Sequence, residues 1–424
     1  MLTAACQEAE SPQPAGQATG SAGEQATNLK IGSLLPATGD LSSLGAPMIT
    51  AVPLLVETVN ACGGVNGAPV TLIPNVDDQT NEAAGTEGMT RLATVDKASG
   101  VVGSFASSVS SAALTVAVRN KIMLISPGST NPTFSDRAAK GEFQGFWART
   151  APSDVYQAPA LAKLAYDRGY RKVATLAINN DYGVGFEKEF VKAFTAFGGT
   201  VVNQAKPTRY DPKGTTFRTE VTEVFKDKPD AVAAIMYGET GSQILKTAYE
   251  QGLSQGVPVL LTDGMYAEDL AKRVGQAQDG KFIAAGVIGT IPGASGTAFA
   301  DFSEIWQAKL KRPVQAYAAQ AWDAAALLVL AAQAAKSNSG AGIKSKIREV
   351  ANPPGEAVSD VCQALQLLKD GKEINYQGAS GNVDIDDKGD VLGSYDIWTI
   401  KDDGSIATIG NVTVGGTTDG ATPQ

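Results

Sequence analysis

The run Ile122-Met-Leu-Ile125, followed by Ser126-Pro-Gly-Ser-Thr-Asn-Pro132, decides how this chain is read. A short apolar run of the buried-strand type ends in a turn of hydroxyl, amide, Gly and Pro residues. Such a turn exposes hydroxyls and free backbone groups at the carboxyl end of a strand. In open α/β sheets that is where small ligands bind. The stretch therefore points to a small-molecule site that depends on hydrogen bonds more than on chemistry.

Outward from this point, strand-like and helix-like runs alternate. The strand-like runs are 29–35, 70–76, 100–105, 122–126, 172–178, 200–204, 231–237, 259–262 and 282–288. Helix-like runs at 46–61, 82–96, 108–119, 157–168, 186–197, 217–226 and 241–251 lie among them. This alternation predicts parallel sheets covered by helices on both faces. Two such series, divided near residues 149–154, predict two similar lobes. Pro53 is expected to kink or unwind the first helix, because it lacks an N–H and crowds the preceding turn. Residues 317–336 are apolar nearly all round and predict a buried helix. The stretch 382–409 reads as short strands.

Composition narrows the function. The chain has 424 residues, 43% of them hydrophobic, enough for a large core in more than one lobe. A net charge of −9 without long basic runs argues against nucleic acid or an anionic membrane surface as partner. Histidine does not occur, which excludes Ser-His-Asp and Cys-His catalysis and removes the commonest zinc ligand. Three scattered cysteines, Cys6, Cys62 and Cys362, are too few for a metal cluster. No metal or cofactor is expected. Cys6 follows small residues and precedes a polar Gln/Ala/Gly/Ser/Pro stretch, resembling the end of a lipoprotein signal with Cys6 as the lipidated residue. The stretch to residue 27 reads as a flexible tether with a reach of about 25 Å. The longest apolar run, 324–335, suits a buried helix better than a membrane span.

Several motifs then coincide. They are IGSLLPATGDLSSLG (31–45), VNACGGVNGAPV (59–70), VVGSFASS (101–108), ISPGSTNP (125–132), ARTAPSD (148–154), NNDYGVGF (179–186) and GNVDIDDKGDVLG (381–393). In this order the chain resembles the type I periplasmic binding proteins of amino-acid ABC transporters, the leucine/isoleucine/valine-binding proteins and their neutral-amino-acid relatives. The resemblance implies an α/β fold of two doubly wound parallel-sheet lobes joined by three hinge crossings. Lobe one would comprise 29–149 and 289–379, and lobe two 150–288 and 380–411. Residues 1–28 would be the signal remnant and tether, and 412–424 a disordered tail. By resemblance, Cys62 and Cys362 both fall in lobe one. A disulfide between them is expected in an exported chain, with two free buried thiols as the alternative.

The resemblance also assigns a site. A free amino acid needs donors for its carboxylate and an anion for its ammonium. Ser107, at the start of a helix-like run, and Thr130 correspond to the residues that hold the carboxylate. As plain sequence, Ser107 or Ser108 could equally be an N-cap. The Gly128 carbonyl, Thr130 and Asp263 correspond to the ammonium partners, although Asp263-Gly264 is also an ordinary turn signal. Tyr182, Tyr237, Tyr317 and Ser129 would wall the pocket, with shaping of the turn as the alternative role of Ser129. Leu44 stands where the family often has an aromatic lid, which leaves room for varied side chains. Glu239 lies near the mouth, as a recruiting charge or a solvated one.

The expectation is a monomeric, extracytoplasmic receptor, lipid-anchored through Cys6. It captures neutral, aliphatic or small L-amino acids by hinge closure and delivers them to ABC permease subunits. The alternatives are the same fold binding urea, short amides or another small solute, and a ligand sensor without transport. An enzyme is disfavoured by the missing histidines and metal ligands.

Overall fold

The computed structural model describes Met1 and residues 28–413. The expectations for Cys6, for the tether and for the tail from residue 414 lie outside the described residues.

The first sheet is all parallel. Its spatial order is Thr71–Leu72, Lys30–Leu35, Gly100–Gly103, Met123–Ser126 and Trp147–Arg149, and Val76–Asp77 also pairs with Lys30–Leu35. Its strands Lys30–Leu35, Gly100–Gly103, Met123–Ser126 and Trp147–Arg149 are buried on both faces nearly throughout, as the continuous apolar runs require, while the short pieces Thr71–Leu72 and Val76–Asp77 are partly exposed. The helix Ala318–Ala335 is buried along nearly its whole length. It packs on the first helix, Ser42–Ala61, on the helices Gly340–Ala351 and Val361–Lys369, and on two strands of this sheet. The helices Ser42–Ala61 and Ala318–Ala335 are long and apolar enough to cross a membrane, but here their apolar surface goes into the core.

The second sheet runs Ile406–Thr413, Ser394–Ile400, Ile288–Pro292, Val259–Leu261, Ala231–Ile235, Lys172–Ile178 and Thr200–Val201, and Thr208–Tyr210 also pairs with Lys172–Ile178. Here the sequence reading needs correction. Ser394–Ile400 pairs antiparallel with both its neighbours, so this sheet is mixed. The chain passes between the two sheets three times: after Arg149, after Pro292 and before Ser394. A small third sheet, Glu356–Val358, Ile374–Gly378 and Gly381–Asn382, lies by the last of these passages.

Other local expectations shift for identifiable reasons. The run 70–76 forms two short pieces, Thr71–Leu72 and Val76–Asp77, because Pro74 between them offers no N–H to the ladder. The run 282–288 is mostly turn, with Gly286 at φ +81°, and pairing begins at Ile288. The strand expected over 200–204 ends at Val201 in a turn. Ser42–Ala61 continues unbroken through Pro47 and Pro53. Pro53 stands on the exposed face, where water can satisfy the carbonyl one turn back. The last strand extends to Thr413, past the expected boundary at 411. The sequence reading also missed the helices Thr133–Ala139, Thr297–Leu310, Gly340–Ala351 and Val361–Lys369.

Cys62, just past the end of the first helix, and Cys362, in the helix Val361–Lys369, form a disulfide with Cα atoms 5.8 Å apart. Their separation of 300 residues makes the constraint on the unfolded chain large. Replacing both cysteines by serine is expected to lower stability in urea unfolding by about 2–4 kcal/mol, with the far-ultraviolet dichroism of the native state unchanged.

Candidate functional site

The carboxyl ends of both sheets point toward the region between the lobes. From the first sheet come 104–107, after Gly103, and 127–132, after Ser126. From the second come 179–182, after Ile178, 236–238, after Ile235, and 262–265, after Leu261. Every ligand residue expected from 104 to 317, Tyr317 excepted, lies in these five connections or in the helix turns that follow them.

Asp263 is buried and lies at the centre of the second lobe's contribution. Its Oδ2 accepts a hydrogen bond from the Tyr317 hydroxyl at 2.8 Å. Its Oδ1 lies 2.9 Å from the Tyr182 hydroxyl and 2.9 Å from the Gln157 amide nitrogen. The Tyr182 hydroxyl is also 2.8 Å from Thr262 Oγ1. Burial raises the tyrosine hydroxyls of 182 and 317 well above their ordinary range, so they remain protonated donors. Burial also pushes the Asp263 carboxyl upward, against the pull of its three donors. Tyr237 stacks on Tyr182, with ring centroids 5.6 Å apart, and the Asn180 side chain lies beside its hydroxyl.

The first lobe brings Thr130 to the same place. Its hydroxyl donates to Asp154 Oδ2 at 2.9 Å. Sequence reasoning had not singled out Asp154, although it ends the run ARTAPSD and opens a helix, Asp154–Asp167, capped by Ser153. It is fully buried, and its Oδ1 has no hydrogen-bond partner. Desolvation first, and the Asp263 charge second, drive its carboxyl well above the usual range. The signal available in the sequence was an acid directly after an N-cap at the end of a shared motif. Helix-start acids are common and usually solvated, so only burial separates this one from the rest. Gln157, one turn on in the same helix, was missed for the same reason.

Ser107 is the first residue of its helix, and the N-cap is Ala106, which has no side chain with which to cap. The first N–H groups of this helix are therefore available to an anion. The Ser107 hydroxyl accepts from the Asn131 N–H at 3.3 Å. Gly128 is fixed by packing: a Cβ there would lie 2.1 Å from the Phe105 ring, which in turn packs edge-on against Tyr317. Ser129 departs from its expected place in the pocket wall. Its hydroxyl turns inward to the Phe105 carbonyl at 3.0 Å and to Ser110 Oγ at 2.8 Å, so it shapes the loop. Tyr317 precedes the helix Ala318–Ala335, in a left-handed conformation, φ +63°. Leu44 is buried in the first helix and faces a groove shared with Tyr266 and Ala267 of the other lobe. The Glu239 side chain is exposed, whereas its N–H is bonded to Asp40 of the first lobe.

Arg149, fully buried, holds this arrangement from behind. Its guanidinium donates to Asp390 Oδ1 at 2.8 Å, to the carbonyls of Ser129 and Asn131 at 3.0 and 3.1 Å, and to Ser135 Oγ at 2.9 Å. Chemically the site offers two buried carboxylates, neutral hydroxyl donors and an uncapped helix start. Among the described residues no cluster of metal-ligating side chains occurs.

Known proteins resemble the chain throughout. The model for the receptor family ligand binding region matches residues 48–403. The chemotactic signal transduction system substrate-binding protein BasB of Halobacterium salinarum is 28% identical over 387 residues, covering 88% of this chain and 87% of its own. The Leu/Ile/Val-binding protein homolog 2 of Brucella abortus is 28% identical over 264 residues, covering 61% and 67%. Among solved structures, the leucine-binding protein LivK of Thermotoga maritima superposes with a TM-score of 0.76 at 24% identity, covering 91% of this chain and 99% of that one. A solute-binding protein of R. palustris in complex with benzoate gives 0.70 at 21%, covering 94% and 100%. These likenesses are to solute-binding proteins, not enzymes. Matched over residues 48–403, the chain belongs to the receptor family of ligand-binding regions and has the fold of a type I periplasmic binding protein.

Proposed function

We propose that this chain is an extracytoplasmic receptor that captures neutral L-α-amino acids between its lobes by hinge closure and hands them to an ABC permease. A lipid on Cys6 would hold it, as a monomer, at the membrane. One observation carries the ligand class: Asp154 and Asp263, both buried, converge with Thr130 on one region, and Asp154 Oδ1 has no partner. Ionised carboxylates in so dry a place require a compensating cation. An α-ammonium provides one, with three N–H donors. The uncapped helix start at Ser107 supplies the complementary place for the ligand's carboxylate. Tyr182, Tyr237, Tyr317, Phe105 and Leu44 would surround the side chain.

The same charges weigh against urea, amides and benzoates, which bring no cation. A sensor without transport shares this ligand chemistry, and the likeness to a chemotactic substrate-binding protein favours it as the second reading. Co-purification with a permease or with a signalling partner separates the two.

Three outcomes are expected. After unfolding and refolding to strip ligand, a neutral L-amino acid at about 100 times its Kd raises stability by about 2.7 kcal/mol, read as a thermal shift. Urea, acetamide and benzoate give none, and a shift with benzoate alone would overturn the amino-acid reading. Asp263→Ala and Asp154→Ala each weaken amino-acid binding about 100-fold, the scale for removing one partner of a buried charge pair, while the dichroism spectrum is kept. Isothermal titration checks this.

The third outcome concerns pH. Both carboxyls are raised, so acidification protonates the anions that an ammonium needs. Affinity therefore falls as pH is lowered through the raised range of these carboxyls, with proton release on binding there. The ligand-free protein responds in the opposite sense. A carboxyl held above its unfolded value binds its proton more tightly when folded. Its contribution to stability is present at low pH and is lost as pH rises through the folded pKa. Titration in two buffers of different ionisation enthalpy reads the proton release.

A further inference from the structure

The helix Gly238–Glu250 of the second lobe begins at the pocket wall, directly after Tyr237, and its own N-cap side chain makes no capping hydrogen bond. The cap comes from the other lobe. Asp40 lies in the turn between the first strand and the first helix, about 200 residues away in sequence. Its Oδ1 accepts from the N–H of Glu239 at 2.6 Å and from the N–H of Thr240 at 3.0 Å, and its Oδ2 accepts from Thr240 Oγ1 at 2.7 Å. One carboxylate thus satisfies two of the free N–H groups that every helix start presents, and it does so across the cleft. Beside it, Arg273 of the second lobe donates to Ser43 Oγ at 2.7 Å, while also pairing with Asp269. The capped turn is joined to the pocket: Thr240 Oγ1 is 3.0 Å from the Tyr210 hydroxyl, which accepts from the Tyr237 N–H at 3.2 Å.

We propose that Asp40 is the latch of the closed state, capping the pocket-wall helix in trans only when the lobes meet. This rests on the hinge-closure reading above. Opening the cleft removes all three of its hydrogen bonds and leaves the helix start to water. Asp40 therefore sets how long a ligand stays, and not which ligand is chosen, because its carboxylate is spent on backbone and Thr240.

The test has a ligand-free arm and a ligand arm, on the full chain. The lobes of the ligand-free protein interconvert between open and closed, and the latch as proposed keeps the closed form populated, so there Asp40→Ala is expected to reduce hydrogen-exchange protection of the Glu239 and Thr240 amides about ten-fold and to raise the radius of gyration in X-ray scattering. Asp40→Asn, which caps as well as Asp, is expected to keep most of both. With L-leucine as probe, stopped-flow dissociation is expected to quicken about five-fold in Asp40→Ala, with the affinity ranking across L-amino acids unaltered. Unchanged protection and scattering in Asp40→Ala would overturn the latch. So would an equal loss in Asp40→Asn, or a changed ligand ranking. If no amino acid binds the wild type, the proposed ligand class fails, and the ligand-free arm still decides the latch.

Discussion

The first lobe's ligand loop and two passages between the lobes are hung on a buried guanidinium. Arg149 ends the last strand of the first sheet, where the chain first leaves that lobe. It pairs with Asp390, on the segment that makes the third passage, and its N–H donates to the Gly389 carbonyl at 2.9 Å. The same side chain holds the carbonyls of Ser129 and Asn131, which flank Thr130. Two passages and the ligand loop are thereby fixed to one planar group. A fully buried cation is tolerable only when its donors are so completely used. Lysine could not do this, since it lacks the fork that reaches three directions at once.

That anchor also bears on the electrostatics. Arg149 pulls the Asp154 carboxyl downward, but desolvation and Asp263 outweigh it, because the guanidinium is already committed to Asp390 and to backbone oxygens. The region between the lobes thus holds two carboxyls whose charge is disfavoured by burial, beside a cation whose donors are already used. Nearby, Tyr182, Tyr237 and Tyr317 add neutral hydroxyls and flat apolar faces, so the cleft combines polarity at one end with bulk around it.

Much of this was legible in the residues, and the parts that were not share a cause. The run Ile122–Ile125 with its polar exit reads as a strand and a ligand loop because apolar runs and turn residues are local signals. Ser107 and Asp263 draw notice in the sequence because motif and chemistry agree, and both lie at strand ends of the two sheets. Asp154, Gln157 and Arg149 could not be, since a charged or amide residue at a helix start or strand end usually faces water. What makes these three matter is burial, which only the folded arrangement creates. Ser129 reads in the sequence as pocket wall or as a turn-shaping residue, and its bonds to Phe105 and Ser110, which turn it inward, fit the second. The antiparallel edge of the second sheet was hidden because a strand's pattern does not state its direction.

The disulfide has a topological meaning beyond the stability it adds. Cys62 and Cys362 enclose the whole first excursion of the chain into the second lobe, together with both passages that begin and end it. Covalently, most of the second lobe is a loop inserted in a ring that the first lobe closes. One backbone cut anywhere between the two cysteines, such as a protease would make in an exposed turn, still leaves a single covalent molecule. Both halves of the first lobe stay joined beside the helix they pack against, and the fragments part only on reduction.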